Sequence, residues 1–258
     1  MPHLSFLDYI PLWAIFAATV ALMLLSMEIG FRGGRWRKKL TQPEKESPVG
    51  AVVGATLGLL GFMLAITFGV AVSRFEMRTG AYLDEIDAIS TAYLRTDFLP
   101  NGDRNQIRQN LREYVDVRIR AVESGEIQAG ITRSEELHQV MWGTAAAALL
   151  ANETSLSVSL FIESLNQLID IHTRRVISGL WLRIPPTIWI VLYGIAFLGM
   201  GELGYQTALA GSTRTPASIA LVIAFASILW LITDLDRPHE GILRINQRAM
   251  RELQSSIQ

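Results

Sequence analysis

Residues 49–73 read VGAVVGATLGLLGFMLAITFGVAVS, 25 positions without a charge, and the run ends at Arg74, Glu76 and Arg78. A hydrocarbon core about 30 Å thick needs about 20 apolar helical residues, so this stretch predicts a membrane-spanning helix. It is patterned as well as apolar. Gly50, Gly54, Gly58, Gly61, Ala65 and Gly69 recur every three or four residues and make a small-residue face that another helix can approach closely. About 90° round lies a second row of Ala55, Leu59, Phe62, Ile66 and Ser73. Two distinct faces imply two kinds of neighbour. One is open to a packed helix, the other to a subunit partner or a pore, and the glycine row by itself fits either packing or pore lining.

Working outward, the apolar run before it, about 10–29, predicts a first span, and no basic segment precedes it as in a cleaved leader. The sequence MEIGFRGGRWRKK then predicts a glycine turn and a basic tip carrying Arg32, Arg35, Arg37, Lys38, Lys39 and Lys45. After position 73 the character changes. Residues 74–184 are amphipathic and helical, with the second span continuing as one long helix up to the turn signal Pro100-Asn101-Gly102. A helix from Asp103 to Ser124 follows, then a third from the capping-box pair Thr132 and Glu135, then a fourth reaching Leu180. Pro185-Pro186 opens a third span over about 187–203, and a fourth covers about 217–233. A final amphipathic helix is expected over about 241–255.

The predicted fold class is therefore all-α, with a helical aqueous domain inserted between spans 2 and 3. The domain reading is a hairpin at 1–73, the helical domain at 74–184, a second hairpin at 185–236 and a C-terminal amphipathic segment at 237–258. Four spans put both termini and the helical domain on one side. The basic first loop favours placing that loop inside, whereas Arg74, Arg78, Arg174, Arg175, Arg183 and Arg237 flank the spans on the opposite side.

Chemistry-bearing patterns are few. With no cysteine, thiolate metal sites and disulfides are excluded, and the near-neutral formal charge of −1 argues against a nucleic-acid partner. Glu135 and His138 form a single Glu-x-x-His pair, short of the doubled set that a carboxylate di-metal bundle needs. No phosphate loop or nucleophile elbow is present, so neither a cofactor, a metal nor an enzymatic activity is expected. Two charged groups remain. Asp84, Glu85 and Asp87, just past the second span, read either as a salt-bridging face or as a vestibule for cations. Residues 74–183 hold 12 arginines against 15 acids, so no anion funnel is evident. At the ends of the spans, Asp234, Asp236 and Arg237 could pair with Arg74 or Arg78 as an interfacial latch. A weak echo links Met27-Glu28-Ile29-Gly30 to Gly201-Glu202-Leu203-Gly204.

Four blocks, GLLGFMLAITFGVAVSRFEMR, IDAISTAYLRTDFLP, IRQNLREYVDVR and DLDRPHEGILRI, resemble the bestrophin-like family of bacterial and plant membrane proteins. That family is distantly similar to bestrophins, pentameric ion channels with four spans per subunit. The resemblance implies a multi-pass protein of the cell (inner) membrane whose partners are the lipid bilayer, further copies of itself and inorganic ions. It also implies that the second span lines a pore, with Phe62 and Ile66 at a neck-like constriction and Leu59 and Ser73 on the wall. Gly58 stands where a third bulky neck residue would fall. The alternative is a non-conducting scaffold or sensor whose helical domain binds a partner.

Overall fold

The computed structural model describes residues 10–40, 46–151, 156–212, 216–237 and 241–257. Lys45, Pro238 and His239 lie outside them. Among the described residues there are eight α-helices, a single 3₁₀ turn and no strand. Four helices are long and apolar enough to cross a membrane. The architecture is all-α, as the apolar runs predict.

The chain divides into two compact units, one of Met1–Phe75 with Arg183–Leu243 and one of Glu76–Leu182 with Arg244–Gln258. Unit one holds α1 (Leu12–Leu40), the first 30 residues of α2 (Glu46–Arg95), α6 (Pro186–Leu209) and α7 (Pro216–Asp236). Its core packs Met23, Leu60, Leu64, Leu192, Met200 and Leu229. Unit two holds the rest of α2, α3 (Asn101–Ser124), α4 (Ile127–Ala151), α5 (Leu156–Leu180) and α8 (Arg248–Ser256). Ile89, Leu111, Tyr114, Met141, Phe161 and Leu165 centre its core. The last helix, set apart in the sequence reading, belongs to this core through Met250 and Leu253.

The 50-residue α2 is one uninterrupted helix, and it stops where the turn signal stands. A 3₁₀ turn at Thr96–Phe98 follows, and Pro100 at φ −53° leads into α3.

Three boundaries differ from expectation, each for a local reason. The expected glycine turn after Ile29 is absent, and α1 runs on to Leu40 because Gly30 and Gly34 serve close helix packing instead. The capping-box pair Thr132 and Glu135 is interior to α4, which starts at Ile127. Gly125 at φ +78° ends α3 in the left-handed conformation, and the Glu126 amide then donates to Ser124 Oγ. The final helix begins at Arg248, because the Asp234 carboxylate takes the amides of Ile242 and Leu243 at 2.9 and 3.1 Å and holds that segment in a bend after Gly241.

In unit one α1 and α6 run parallel, as the order of their contacts shows: Thr19 with Tyr193, Ser26 with Phe197, Gly34 with Tyr205 and Ala208. The echoed tetrapeptides meet here reciprocally. A Cβ on Gly30 would overlap the carbonyl oxygen of Gly201, and a Cβ on Gly204 would overlap that of Met27. Small residues at this crossing let the two backbones touch. Gly204→Val is therefore expected to force the helices apart, at a cost of about 1–3 kcal/mol or more, and to lower the melting temperature of the detergent-solubilised protein. Gly58→Val, where nothing of the same chain lies within 4 Å, should leave that temperature within a degree or two if the subunit alone sets it.

Candidate functional site

Within unit one, α2 is the least covered span: 17% of its apolar window is buried, against 28–39% in the other three. Its covered side is a thin seam of Val53, Leu60, Leu64, Thr67 and Ala71 at helical spacing. Leu57, Met63 and Val72 pack half-buried against the same core, and most of the remaining positions are open. Leu59, Phe62 and Ile66 are 51%, 62% and 49% exposed, and Ser73 is exposed below them. A Cβ added at Gly54, Gly58, Gly61 or Gly69 would meet none of the described residues within 4 Å, so no described helix of this subunit packs on that row. Gly50 alone has a neighbour, the amide end of Gln206 on α6. Both rows read from the sequence thus lie on the uncovered part of one helix.

The polar groups where α2 and α7 leave the apolar zone are joined, with a change of partners. Asp236 accepts the Ile184 amide at 3.0 Å and pairs with Arg74 at 3.9 Å and Arg183 at 3.7 Å. Asp234 instead caps the segment after Gly241, and Arg237 donates to the Ile10 carbonyl at 2.7 Å. Arg183 is a member that the sequence reading missed. It sits one residue before the amide that Asp236 caps, so the helix-breaking Ile184-Pro185-Pro186 was the available signal. Arg78 is buried in unit two.

Unit two contains a polar cluster in its interior. Glu85 on α2 is fully buried, so only Asp84 and Asp87 of the acidic trio face solvent, and Asp84 pairs with Arg174 at 3.6 Å. The Tyr114 hydroxyl donates to Glu85 Oε1 at 2.6 Å, Arg118 Nε lies 3.3 Å from the same oxygen, and Arg175 pairs with Oε2. His172 Nδ1 is 3.0 Å from the Tyr114 hydroxyl. Because that hydroxyl gives its proton to Glu85, the imidazole must donate from Nδ1, which fixes the tautomer and leaves Nε2 as a bare lone pair. The His138 ring stacks edge-on against His172 at 4.9 Å.

Burial, followed by the nearby Arg118 charge, holds His138 down at about 4, and the same causes in the same order hold His172 down at about 3. Burial raises Tyr114 to about 12. Both imidazoles are therefore neutral when folded and protonate near 6.5 once unfolded, so the unfolded chain binds more protons between those values. Stability is expected to be full above about pH 7 and to fall as pH drops toward 4, read as the melting temperature of the whole protein. His138→Gln with His172→Gln should flatten that profile. This cluster has no metal-ligand set: among the described residues no three or more His, Asp or Glu side chains could hold an ion together.

A family model described as a Bestrophin-like domain matches residues 14–250. Among solved structures, the chain is similar to a tryptophan-to-alanine variant of a bacterial bestrophin homologue from Klebsiella pneumoniae, with TM-score 0.71 and 14% identity over 96% of each chain. A leucine-to-threonine variant of a bacterial bestrophin homologue from the same organism gives TM-score 0.66 and 15% identity over 94% of this chain and 96% of that one. At such identity these structures speak to the fold. Among curated proteins none matches this sequence.

Proposed function

This chain belongs to the Bestrophin-like family, and from that premise we propose that it forms a homo-oligomeric ion channel, a pentamer of the cell (inner) membrane, with α2 around the axis. The observation that carries the reading is the uncovered face of α2. An apolar span that is covered by its own subunit on one side only, and turns glycine and serine outward elsewhere, gains little from lipid at those positions and much from close approach to further copies.

In this arrangement the glycine row packs against the neighbouring subunit and the row of Leu59, Phe62, Ile66 and Ser73 faces the axis. Phe62 and Ile66, one helical turn apart, form an apolar constriction that water leaves readily and that closes to ions by dewetting. The partners of Asp236 tie the exit of α2 to α7 and fix the helix against rotation about its own axis. Asp87 supplies negative charge beyond the exit, where Asp84 is offset by Arg174, and favours cations.

Light scattering on the detergent-solubilised protein, corrected for bound detergent, tests the assembly. The expected mass is about five times the 28.7 kDa subunit. A monomer or dimer would leave no ring to enclose a pore and would favour the non-conducting scaffold instead.

A further inference from the structure

Unit one has an open wedge of about 260 Å³ where α1, α2 and α6 meet, lined by Ser26, Ile29, Val52, Phe197, Leu198 and Glu202 among others. Its walls are almost wholly apolar. Into it comes one carboxylate, and Glu202 Oε2 is buried with no hydrogen-bond partner among the described residues. The equivalent acid of the echoed tetrapeptide is satisfied: Glu28 accepts from Arg32 Nε at 2.7 Å. Glu202 has no such cation one turn away on its own helix, since Gln206 occupies that position and points to Gly50. A buried carboxylate oxygen without a donor is costly, so the wedge is chemically incomplete.

The level of the wedge narrows the choice of donor. On α1 the apolar run ends at Ile29 and the cations Arg32, Arg35, Arg37 and Lys38 follow, so Glu202 stands where hydrocarbon gives way to headgroups. A simple alkylamine would be repelled by that cationic fringe. A headgroup carrying both a phosphate and an ammonium suits both sides, with the phosphate toward the arginines and the ammonium on the carboxylate. The acyl chains would lie against Ile29, Val52, Phe197 and Leu198.

We infer that this wedge binds a phospholipid with a primary ammonium headgroup, phosphatidylethanolamine, through Glu202. A primary ammonium has N–H groups to give to Oε2, whereas the trimethylammonium of phosphatidylcholine has none, so the site discriminates between two lipids of equal net charge. The recognition is independent of whether the assembly conducts.

The test is native mass spectrometry of the purified assembly titrated with phosphatidylethanolamine, phosphatidylcholine and phosphatidylglycerol of identical chains. Wild type is expected to prefer the ethanolamine lipid over the choline lipid by at least about tenfold, the worth of one charge-assisted hydrogen bond. Glu202→Gln should bring that ratio close to one, while Leu198→Trp, which fills the wedge and keeps the carboxylate, should weaken both lipids. An ethanolamine-to-choline ratio that is equal in wild type and Glu202→Gln overturns the inference, as does equal binding of phosphatidylglycerol. Loss of oligomer mass in Glu202→Gln with lipid ratios unchanged would assign the wedge to a neighbouring subunit and overturn it as well. Should Glu202→Gln not fold, wild-type and Leu198→Trp ratios decide: a wild-type ratio near one, or one that Leu198→Trp leaves with undiminished binding, rejects the site.

Discussion

Replacing Phe62 and Ile66 together by alanine is expected to raise the conductance of the reconstituted protein on the order of tenfold, the change that follows from removing about 1.4 kcal/mol of dewetting barrier. The two side chains stand one turn apart on the uncovered row of α2, and they are 62% and 49% exposed within the subunit. Because they touch so little of their own chain, truncation should cost the subunit little stability. Single-channel recording with a melting curve on the same preparation separates the effects. Higher conductance at an unchanged melting temperature is the expected result, and unchanged conductance in an active preparation would remove these residues from the constriction.

Glu85→Ala is expected to have the opposite signature, a large loss of stability in unit two. The carboxylate pairs with both Arg118 and Arg175, and it accepts the Tyr114 hydroxyl. Removing one partner of a buried ion pair costs about 3–5 kcal/mol because the other charge stays behind unneutralised. Against a total stability of about 5–15 kcal/mol for a folded protein, that is a large share of what holds the fold. Glu85→Gln, which keeps an acceptor for Tyr114 and loses the charge, should fall between wild type and alanine. Urea unfolding checks the order. If Glu85→Ala were as stable as wild type, the cluster would not be holding unit two together.

Why some of this was legible in the sequence and some was not follows from what each feature depends on. The spans and the long α2 depend on local apolarity and the absence of a breaker, and a single stretch carries both. The end of α2 at Arg95, a 3₁₀ turn ahead of Pro100, is equally local. Gly30 and Gly34 were read as a turn because glycine breaks helices in water. Gly30 and its counterpart Gly204 in the echoed tetrapeptides carry the signal for close helix contact, but the partner lies about 170 residues away in the sequence and the contact emerges only when α1 and α6 lie parallel.

The cluster around Glu85 was half visible. Tyr82, Glu85, Ile89 and Ala92 share one stripe of α2, and a carboxylate on an apolar stripe marks a buried, paired acid. The sequence reading grouped it with its neighbours Asp84 and Asp87, which point elsewhere. Tyr114 and His172 fall at helical spacing on the apolar faces of their helices, but nothing along one chain says that two inner faces bring a hydroxyl and an imidazole to 3.0 Å. Asp234 and Asp236 were recognised as interfacial, yet their choice between arginine and backbone amides depends on how the chain turns at Gly241.

The most direct measurement of the central claim, that α2 encloses an ion pathway, uses the absence of cysteine from the sequence. Phe62→Cys gives a single thiol on the uncovered row, and Ile190→Cys gives one on α6, where the native side chain is 71% exposed. Each is recorded in a planar bilayer before and after a charged methanethiosulfonate reagent, with labelling verified by mass. The account predicts that modification at position 62 changes the current irreversibly and that modification at position 190 does not. A fully labelled Phe62→Cys protein that carries an unchanged current would contradict it.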